Sequence, residues 1–343
     1  MKRENKKGGM EFDVTRRLFL KGAAALSGAM VLDPLLAYSA MKPKDFPTKP
    51  LNHIIPARAG GGFDRSSRVA AMAWEKNLGV PIKFSYLPGG STLIGFNKML
   101  TITDGYATSI TSISMLYLAM EIQKPKFGWK DLAFVGTLIV DPNQIMVHKD
   151  APWKDAREFI EAGRKAKTPL KISTSHPNAN NTLAAVIFIK LSKINAEVVA
   201  FDGGSAARNA LAGKHVDACC GPMFSALNVA GIVRGLVVFQ DNNPVPHLWK
   251  GVQPAKEALD FDMPESQDAF AFFCPRAVVK RYPDRYKFLV DTFRETVESE
   301  EIKKLGQKSG MTPFLEYWSP EKCEKFVEDY DAVFKKYGYL MKK

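Results

Sequence analysis

Four turns rich in glycine, serine and asparagine contain the residues whose type and spacing best suit ligand binding. Each turn follows an apolar run and precedes a helical period, and together they cover residues 58–64, 88–92, 174–182 and 202–205. The first N–H groups of a helix lack intrahelical acceptors and carry partial positive charge, so each turn is a candidate cradle for an anion. A single turn of this kind is more often a plain helix start. Several turns facing one cleft would suit a small carboxylate.

The amides and side chains of these turns supply our candidate ligand-binding residues. The set is Arg58, Gly61, Gly62, Phe63, Gly89, Gly90, Ser91, Ser175, His176, Asn178, Thr182, Asp202 and Gly203. Glycine allows a ligand to approach the backbone closely. Arg58 is the most specific candidate, because a guanidinium can hold a carboxylate through two hydrogen bonds. The alternative for Arg58 is a solvated arginine at the rim.

The other polar side chains of these turns have two interpretations each. His176 contacts the ligand or, as we favour, lies at the cleft edge, since one histidine without partners is unspecific. Asn178 and Thr182 either bind the ligand or cap a helix. Asp64 is expected to cap its helix and fix its loop, because a carboxylate would repel an anion. Asp202 either selects a ligand amine or hydroxyl, or faces solvent. Three aromatic residues are candidates for the pocket wall or for the core: Phe63, Tyr106 and Phe224.

The sequence contains no residue set typical of an enzyme. It has no Gly-x-Ser-x-Gly elbow, no phosphate loop with its lysine, and no histidine and cysteine spacing typical of a metal site. Among the four cysteines, Cys219 and Cys220 are adjacent and would rarely bond each other, so we expect buried free thiols. We predict neither catalysis nor a cofactor nor a metal. An extracytoplasmic enzyme on the same scaffold is the least favoured alternative.

The length and charge of the chain restrict its class of partner. The 343 residues carry a formal net charge of +12 and suit two α/β domains better than one core. The basic residues are spread along the chain without a nucleic-acid-binding signature, so we expect no nucleic-acid partner. The net positive charge of the chain otherwise fits anionic small molecules or an anionic membrane as partners.

The first 39 residues have the layout of a signal peptide. The segment 16–21 reads Arg-Arg-Leu-Phe-Leu-Lys, a mildly apolar stretch covers 22–31, and small residues follow around Ser39 and Ala40. The arginine pair predicts export by the twin-arginine route, with cleavage near Ser39/Ala40. The apolar stretch is too short for a membrane span.

Strand candidates alternate with helical periods from residue 51 onward, which predicts parallel sheets with helices on both faces. Two such units imply two lobes, with a ligand in the cleft at the carboxyl ends of the strands. We place the chain crossings near Val140–Asn143 and near Gln240–Asn243, and we predict a helix over Ser225–Val233. The expected domains are residues 40–140 and 242–343 for the first lobe and residues 141–241 for the second.

The ordered set of motifs resembles the solute receptors of tripartite tricarboxylate transporters, often called Bug receptors. The resemblance covers nearly all of the chain beyond its first 39 residues. The blocks that carry it are Gly60-Gly61-Gly62-Phe63-Asp64, Leu87-Pro88-Gly89-Gly90-Ser91, Asp104-Gly105-Tyr106-Ala107, Phe201-Asp202-Gly203-Gly204-Ser205-Ala206 and Leu211-Ala212-Gly213-Lys214-His215-Val216-Asp217.

The resemblance implies an α/β, type II periplasmic-binding-protein fold, in which two doubly wound lobes are joined by two hinge strands with the ligand cleft between them. It also implies a periplasmic receptor that captures a small carboxylate or dicarboxylate and delivers it to the membrane permease of a secondary transporter; we expect a monomer. In this family the proximal carboxylate is held by backbone N–H groups and water at the first two loops. Here these loops contain Gly61, Gly62, Gly89 and Gly90.

The third loop departs from the family pattern. His176 and Asn178 stand where the family has glycines, and Thr182 stands where it has a histidine. Arg58 also replaces a residue that is usually small and uncharged. The identity of the ligand therefore does not transfer. Two alternatives stay open: a ligand-sensing adaptor for a membrane signalling partner, and a TRAP-associated receptor of the same fold.

Overall fold

A computed structural model describes residues 41–341 of the chain. The export segment expected over residues 1–39 lies outside the described residues. Among residues 41–341, no helix combines the length and the apolar character needed to cross a bilayer.

Strands and helices alternate along most of the described chain. The strands are β1 (Leu51–Ile55), β2 (Ile82–Tyr86), β3 (Ala107–Ser112), β4 (Leu132–His148), β5 (Leu170–Thr174), β6 (Ala196–Ala200), β7 (Ala218–Pro222), β8 (Val233–Val238), β9 (Gln253–Pro254) and β10 (Gln267–Pro275). The helices are α1 (Gly62–Leu78), α2 (Leu93–Leu100), α3 (Ile113–Gln123), α4 (Ala156–Lys165), α5 (Asn180–Ser192), α6 (Gly204–Ala212), α7 (Ala255–Ala258), α8 (Arg276–Arg281), α9 (Pro283–Glu298), α10 (Glu300–Gln307) and α11 (Pro320–Tyr337).

The first half of the fold is a sheet with the strand order β2-β1-β3-β10-β4. β1 pairs in parallel with β2 and β3, whereas β10 runs antiparallel between β3 and β4. One face packs on α2 and α3 through a buried cluster that includes Phe96 and Phe273. The other face packs on α1 and α9, where the rings of Trp74, Phe272 and Phe293 meet. Both faces of this sheet are therefore covered by helices.

The second half repeats this construction with the strand order β6-β5-β7-β4-β8-β9. β5 pairs in parallel with β6 and β7, and β4 runs antiparallel to β7 and β8. A separate buried cluster includes Phe159 of α4, Phe188 of α5 and Phe239. The two clusters are distinct, so each half has its own hydrophobic core, and a third buried cluster of α3, α5 and α11 packs the halves against each other.

The two sheets share the single strand β4. It has 17 residues and is buried from its first residue to Val147, which corresponds to a length of roughly 55 Å. Its residues up to Pro142 pair with β10, and those from Asn143 onward pair with β7 and β8. The exchange of partners thus falls at a single peptide unit, within the segment where the chain was expected to cross.

The chain returns to the first sheet later than the sequence suggested. Residues 239–266, called the return segment below, include β9 and α7, and Ala255, Ala258 and Phe261 pack on the core of the second half. Only at Gln267 does the chain join β4 in the first sheet. The segment from residue 242 onward was expected in the first lobe, because the polar run at 240–243 resembles a linker. Its later apolar residues instead bury themselves in the second half.

Some elements differ from the sequence predictions for identifiable reasons. The helix predicted over Ser225–Val233 is wrong: a short 3-10 turn occupies Leu227–Val229 and a strand begins at Val233. α3 was not predicted, because it is buried on most sides and lacks an amphipathic period. β10 was not predicted either, because its continuous apolar run has no alternation.

All four cysteines are buried and free, as the sequence analysis expected. Burial raises the pKa of Cys219 to about 11 and that of Cys274 to about 12. These thiols are therefore protonated at neutral pH, and they behave as small apolar core residues.

His53 on β1 is a buried ionisable residue in the core of the first half. Its Nδ1 lies 2.8 Å from the Thr108 hydroxyl and its Nε2 lies 2.9 Å from the Ser67 hydroxyl, while its ring stacks on Phe272. Burial lowers the pKa of His53 to about 3. The ring is therefore neutral in the folded protein, where one nitrogen donates and the other accepts.

We predict that His53 destabilises the fold in acid. Because its folded pKa lies below the unfolded value of 6.5, the unfolded chain binds the extra proton, so stability falls as the pH drops from 6.5 toward 3. One such group contributes a slope of roughly 1.4 kcal/mol per pH unit. Urea unfolding of the wild type and of His53→Gln between pH 7.5 and 4.5 measures this pH dependence of the unfolding free energy. The difference in unfolding free energy should shrink as the pH falls, and a constant difference would contradict a neutral buried His53.

Candidate functional site

The carboxyl ends of the parallel strands in both halves lie near the point where β4 exchanges partners. Asn180 at the start of α5 donates to the Gln267 carbonyl of β10, 3.0 Å away. Ser112 at the end of β3 and Ser114 in the first turn of α3 donate to the Asp268 carboxylate at 2.8 and 3.1 Å. These contacts join the loop end of each sheet to the crossing strands. Such a crevice is where open α/β sheets bind ligands.

Asp64 organises the first loop, which connects β1 to α1. Its buried carboxylate accepts hydrogen bonds from the Gly60 N–H at 2.7 Å, the Tyr86 hydroxyl at 2.8 Å and the Arg68 Nε at 2.9 Å. Burial alone would raise the pKa of Asp64, but these hydrogen bonds and the charge of Arg68 outweigh it and lower the pKa. The residue that caps α1 is Gly61, without a side-chain bond. Asp64 therefore fixes the loop, as expected, but does not cap the helix.

Replacing Asp64 with alanine should destabilise the protein by about 1–3 kcal/mol, because three hydrogen bonds to a buried carboxylate are lost. Urea unfolding at pH 7.5 measures the change. Asp202→Ala is the matched control, because Asp202 is a fully exposed carboxylate. Its replacement should change the free energy of unfolding by no more than about 0.5 kcal/mol. Equal stability of the two variants would show that the Asp64 network does not hold the first loop.

The second loop, between β2 and α2, has an uncommon backbone. Gly89, Gly90, Ser91 and Thr92 have φ values of 119°, 57°, 49° and 85° in succession. At Gly89 the φ of 119° is one that side-chain-bearing residues rarely adopt, so glycine is favoured there by conformation. Positive φ at Ser91 and Thr92 costs on the order of 1 kcal/mol each, and such strain concentrates at ligand sites.

The third loop, after β5, is held by hydrogen bonds within the protein. The Ser175 hydroxyl donates to Asn181 Oδ1 at 2.8 Å, and Asn181 Nδ2 donates to the Cys220 carbonyl at 2.8 Å. The buried Thr182 hydroxyl contacts Thr174 Oγ1 and the His176 carbonyl. Thr182 therefore stabilises the loop internally rather than presenting a free hydroxyl.

The remaining polar candidates lie at the rim. His176 Nδ1 is 3.7 Å from the carboxylate of Asp202; the Asp202 side chain is fully exposed, and that of His176 is partly exposed. Asn178 and Arg58 are exposed as well. The position of His176 at the cleft edge stays a prediction.

Each of the three aromatic candidates lies in a different environment. Phe63 packs edge-on against Phe270 of β10, with ring centroids 4.9 Å apart, close to the crossing strands. Tyr106 is buried against Phe46, and its hydroxyl contacts the Thr48 N–H at 2.9 Å, so it belongs to the core of the first half. Phe224 packs on Phe314 with a centroid distance of 5.4 Å.

A cavity of 160 Å³ opens in the second half at the ends of β5 and β7. Its polar lining residues are Ser175, Asn181, Arg208 and Ser225. Arg208 on α6 is only 9% exposed, its Nη2 donates to the Ser205 hydroxyl at 3.3 Å, and its Nε has no partner. Sequence reasoning missed Arg208. The available signal was its position as the one charged residue between Asp202 and Lys214, four residues after Gly204.

Two buried carboxyl groups lie side by side at the crossing. Asp141 and Asp268 are register partners on β4 and β10. Asp141 accepts hydrogen bonds from the N–H groups of Phe224 and Ser225, at 2.7 and 3.2 Å, and from the Ser225 hydroxyl at 3.0 Å. Burial raises the pKa of Asp141 to about 7, and it also raises the pKa of Asp268. Asp141 thereby ties the loop after β7 to the shared strand.

Four helix starts at the crevice have no side-chain cap. These are the helices that follow β1, β2, β5 and β6. α3, which follows β3, is capped by Ser112; among the other helices α4, α10 and α11 have side-chain caps, whereas α7, α8 and α9 have none. The first N–H groups of the four uncapped helices at the crevice carry partial positive charge and can bind an anion.

A larger groove of 500 Å³ lies at the far end of β10, about 27 Å along the strand from Gln267. It is lined by the basic residues Lys126, Lys130, Arg276, Lys280 and Arg281. Arg276 is engaged by the Leu132 carbonyl and by Glu324, and the four other cations are exposed. Exposed cations of this kind are solvated in the usual way, so we place the ligand site in the crevice.

The fold and the crevice define the class of two-lobed, mixed α/β solute-binding proteins. The comparison structures have this fold. A solute-binding protein from Polaromonas matches with a TM-score of 0.70 at 20% identity, covering 86% of this chain and 99% of that one. A Rhodopseudomonas palustris protein matches with a TM-score of 0.72 at 20% identity, covering 87% and 98%. The predicted mixed α/β fold is thereby confirmed.

The chain belongs to the tripartite tricarboxylate transporter family receptors (TctC), whose family model matches residues 66–343. A UPF0065 protein of Cupriavidus necator is 29% identical over 209 residues, which is 59% of this chain and 62% of that protein. A UPF0065 protein of Agrobacterium vitis is 24% identical over 190 residues, which is 54% of each chain. The matched segments thus span between about half and two thirds of these relatives.

Proposed function

We propose that this protein is an extracytoplasmic receptor that captures a small carboxylate in the crevice and delivers it to the membrane permease of a tripartite tricarboxylate-type transporter. The observation that carries the proposal is the set of uncapped helix starts around the crevice, in a chain that belongs to this receptor family. Carboxylates are the anions that such N–H groups bind well. Transport of a captured solute requires no catalytic residue.

The neighbouring structures support a carboxylate ligand. The Rhodopseudomonas palustris protein Rpa4515 was solved with adipate, and MatC from the same organism was solved with malate. MatC matches this chain with a TM-score of 0.65 at 19% identity, covering 87% of this chain. Both ligands are small organic acids, which fits a crevice built from backbone donors.

The first two loops are the proposed seat of the proximal carboxylate. The first-turn N–H groups of α1 have no acceptor from a side-chain cap, because Asp64 is turned back to Gly60. The strained turn at Gly89–Thr92 brings a second set of amides to the same edge of the sheet. In this arrangement Arg58, exposed at the start of the first loop, is placed to approach the ligand from the rim.

Ligand capture would be coupled to a movement of the halves about β4 and the return segment. Each half has its own core, and a third buried cluster packs Tyr117 of α3 against Leu183 and Ile187 of α5, so a movement of the halves would rearrange that contact. Hinge closure of two lobes around a ligand is a common mode of binding. Export by the twin-arginine route, with release near Ser39/Ala40, would place the receptor in the periplasm beside its permease.

Gly62→Pro should weaken carboxylate binding about 10- to 100-fold, because it removes one N–H donor from the start of α1. Proline fits this position: it is the first helical residue, and Gly61 before it is extended, with φ −72° and ψ 177°. An added Cβ at Gly62 meets Phe270 at an ordinary 3.9 Å. Affinity is measured by calorimetry with the best ligand from a thermal-shift screen of mono-, di- and tricarboxylates.

The matched control is Gly62→Ala, which keeps the N–H donor and should bind within a few-fold of the wild type. A saturating ligand at a hundred times its dissociation constant adds about 2.7 kcal/mol, so the screen detects it readily. Equal affinity of the proline and alanine variants would remove the first loop from the site. A screen without any stabilising carboxylate would contradict the proposed function itself.

A further inference from the structure

Arg208 is a buried cation without an anion. Its side chain is 9% exposed, its Nε has no hydrogen-bond acceptor, and no acid among residues 41–341 forms an ion pair with it. Burying a charge without a partner is strongly unfavourable, which is why buried arginines are normally paired. The side chain lines the 160 Å³ cavity of the second half.

The guanidinium also lies at the positive end of its own helix. A Cβ added at Gly204, the first residue of α6, would lie 2.9 Å from Arg208 Nη1, so the side chain folds back over the first turn. α6 has no side-chain cap and no acidic residue in that turn. A cation at a helix N-terminus opposes the helix dipole. An anion in the cavity would offset both unfavourable contributions.

The groups around the cavity do not supply that anion. Burial raises the pKa of the Cys219 thiol to about 11, so it is neutral at pH 7. The Asp141 carboxylate is engaged by the N–H groups of Phe224 and Ser225 and lies beyond ion-pair distance. Burial lowers the pKa of Arg208; the nearby charge of Asp141 raises it, and the charge of Arg65 on α1 lowers it. Arg208 is thus within electrostatic range of a cation of the first half.

The cavity has the size and lining of a polar subsite. Its 160 Å³ correspond to on the order of five water molecules. Besides Arg208, the hydroxyls of Ser175 and Ser225 and the amide of Asn181 line it. A carboxylate group and one or two waters fit such a space, with the guanidinium fork as a bidentate donor.

We propose that this cavity is a second anion subsite, in which Arg208 and the first-turn N–H groups of α6 bind the distal carboxylate of a ligand held at its other end by α1. The inference rests on the proposed function and narrows it. The ligand is a small molecule with oxyanions at both ends, and Arg208 makes the protein select it over the corresponding monoanion. Binding to both ends would also link the two halves in the closed state.

The test compares ligands that differ in one carboxylate. Calorimetry of the purified protein with adipate and hexanoate, and with succinate and butyrate, gives the preference for the dianion. The wild type should bind the tighter of the two dianions with at least about tenfold higher affinity than the corresponding monoanion. Arg208→Gln should weaken binding of that dianion about 10- to 100-fold. Its affinity for the corresponding monoanion should stay within twofold of the wild-type value. Arg208→Lys should retain part of the preference, because it keeps the charge but loses the fork.

Lys214→Gln is the charge-matched control, since Lys214 is an exposed cation of the same half paired with Asp150. This variant should bind both ligands with wild-type affinity. Unfolding curves confirm that each variant is folded. The subsite is refuted if Arg208→Gln weakens both ligands equally or neither.

If the wild type binds no carboxylate, the proposed function fails, and inorganic sulfate tests the subsite separately. The Nε–Hε resonance of Arg208, assigned by its absence in Arg208→Gln, should shift on sulfate addition at millimolar concentration. An unmoved resonance refutes the subsite.

Discussion

The hydrogen bonding of one continuous strand to two different sheets is the constraint on which the structure depends. β4 pairs with β10 up to Pro142 and with β7 and β8 from Asn143. Since neither sheet is complete without this strand, the halves are joined where their loop ends converge. The crevice is a consequence of that connection, and the buried Asp141 fastens the loop after β7 to the same strand. A break in β4 would therefore affect both cores and the site together.

The crevice gathers groups that are unfavourable in the absence of a ligand. Uncapped helix starts, a run of positive φ angles at Gly89–Thr92 and the unpaired guanidinium of Arg208 all lie at the loop ends of the sheets. A protein places such unfavourable groups together where a bound molecule satisfies them. An anion with two charged ends would satisfy the donors on both sides of the crevice.

The sequence predicted the architecture well because its signals are local. The alternation of strands and helices, and the glycine-rich turns that follow the strands, depend on short-range pattern and turn chemistry. Mostly buried elements were not predicted: α3 and β10 lack a clear polar face, because most of their residues are buried. The return segment was assigned to the wrong half because its apolar residues do not indicate which core they join.

The site was predictable in outline and not in detail. The backbone of the first two loops follows from glycine and aspartate at fixed positions, so Asp64 was correctly expected to fix its loop. Arg208 was missed and Thr182 was left with two interpretations for the same reason: burial depends on which elements pack together. Thr182 is buried and stabilises its loop through a hydrogen bond to Thr174, whereas Arg208 lines a cavity formed by α6, β5 and β7. A single sequence does not reveal either environment.

Hydrogen exchange of backbone amides, followed by mass spectrometry with and without a saturating carboxylate from the screen, tests the central claim most directly. The claim is that one ligand contacts both halves of the crevice. We predict slower exchange at residues 60–64 and 89–93 of the first half and, in the same experiment, at residues 203–208 of the second. Protection confined to one half, or protection only in the basic groove around residues 126–130 and 276–281, would contradict the account.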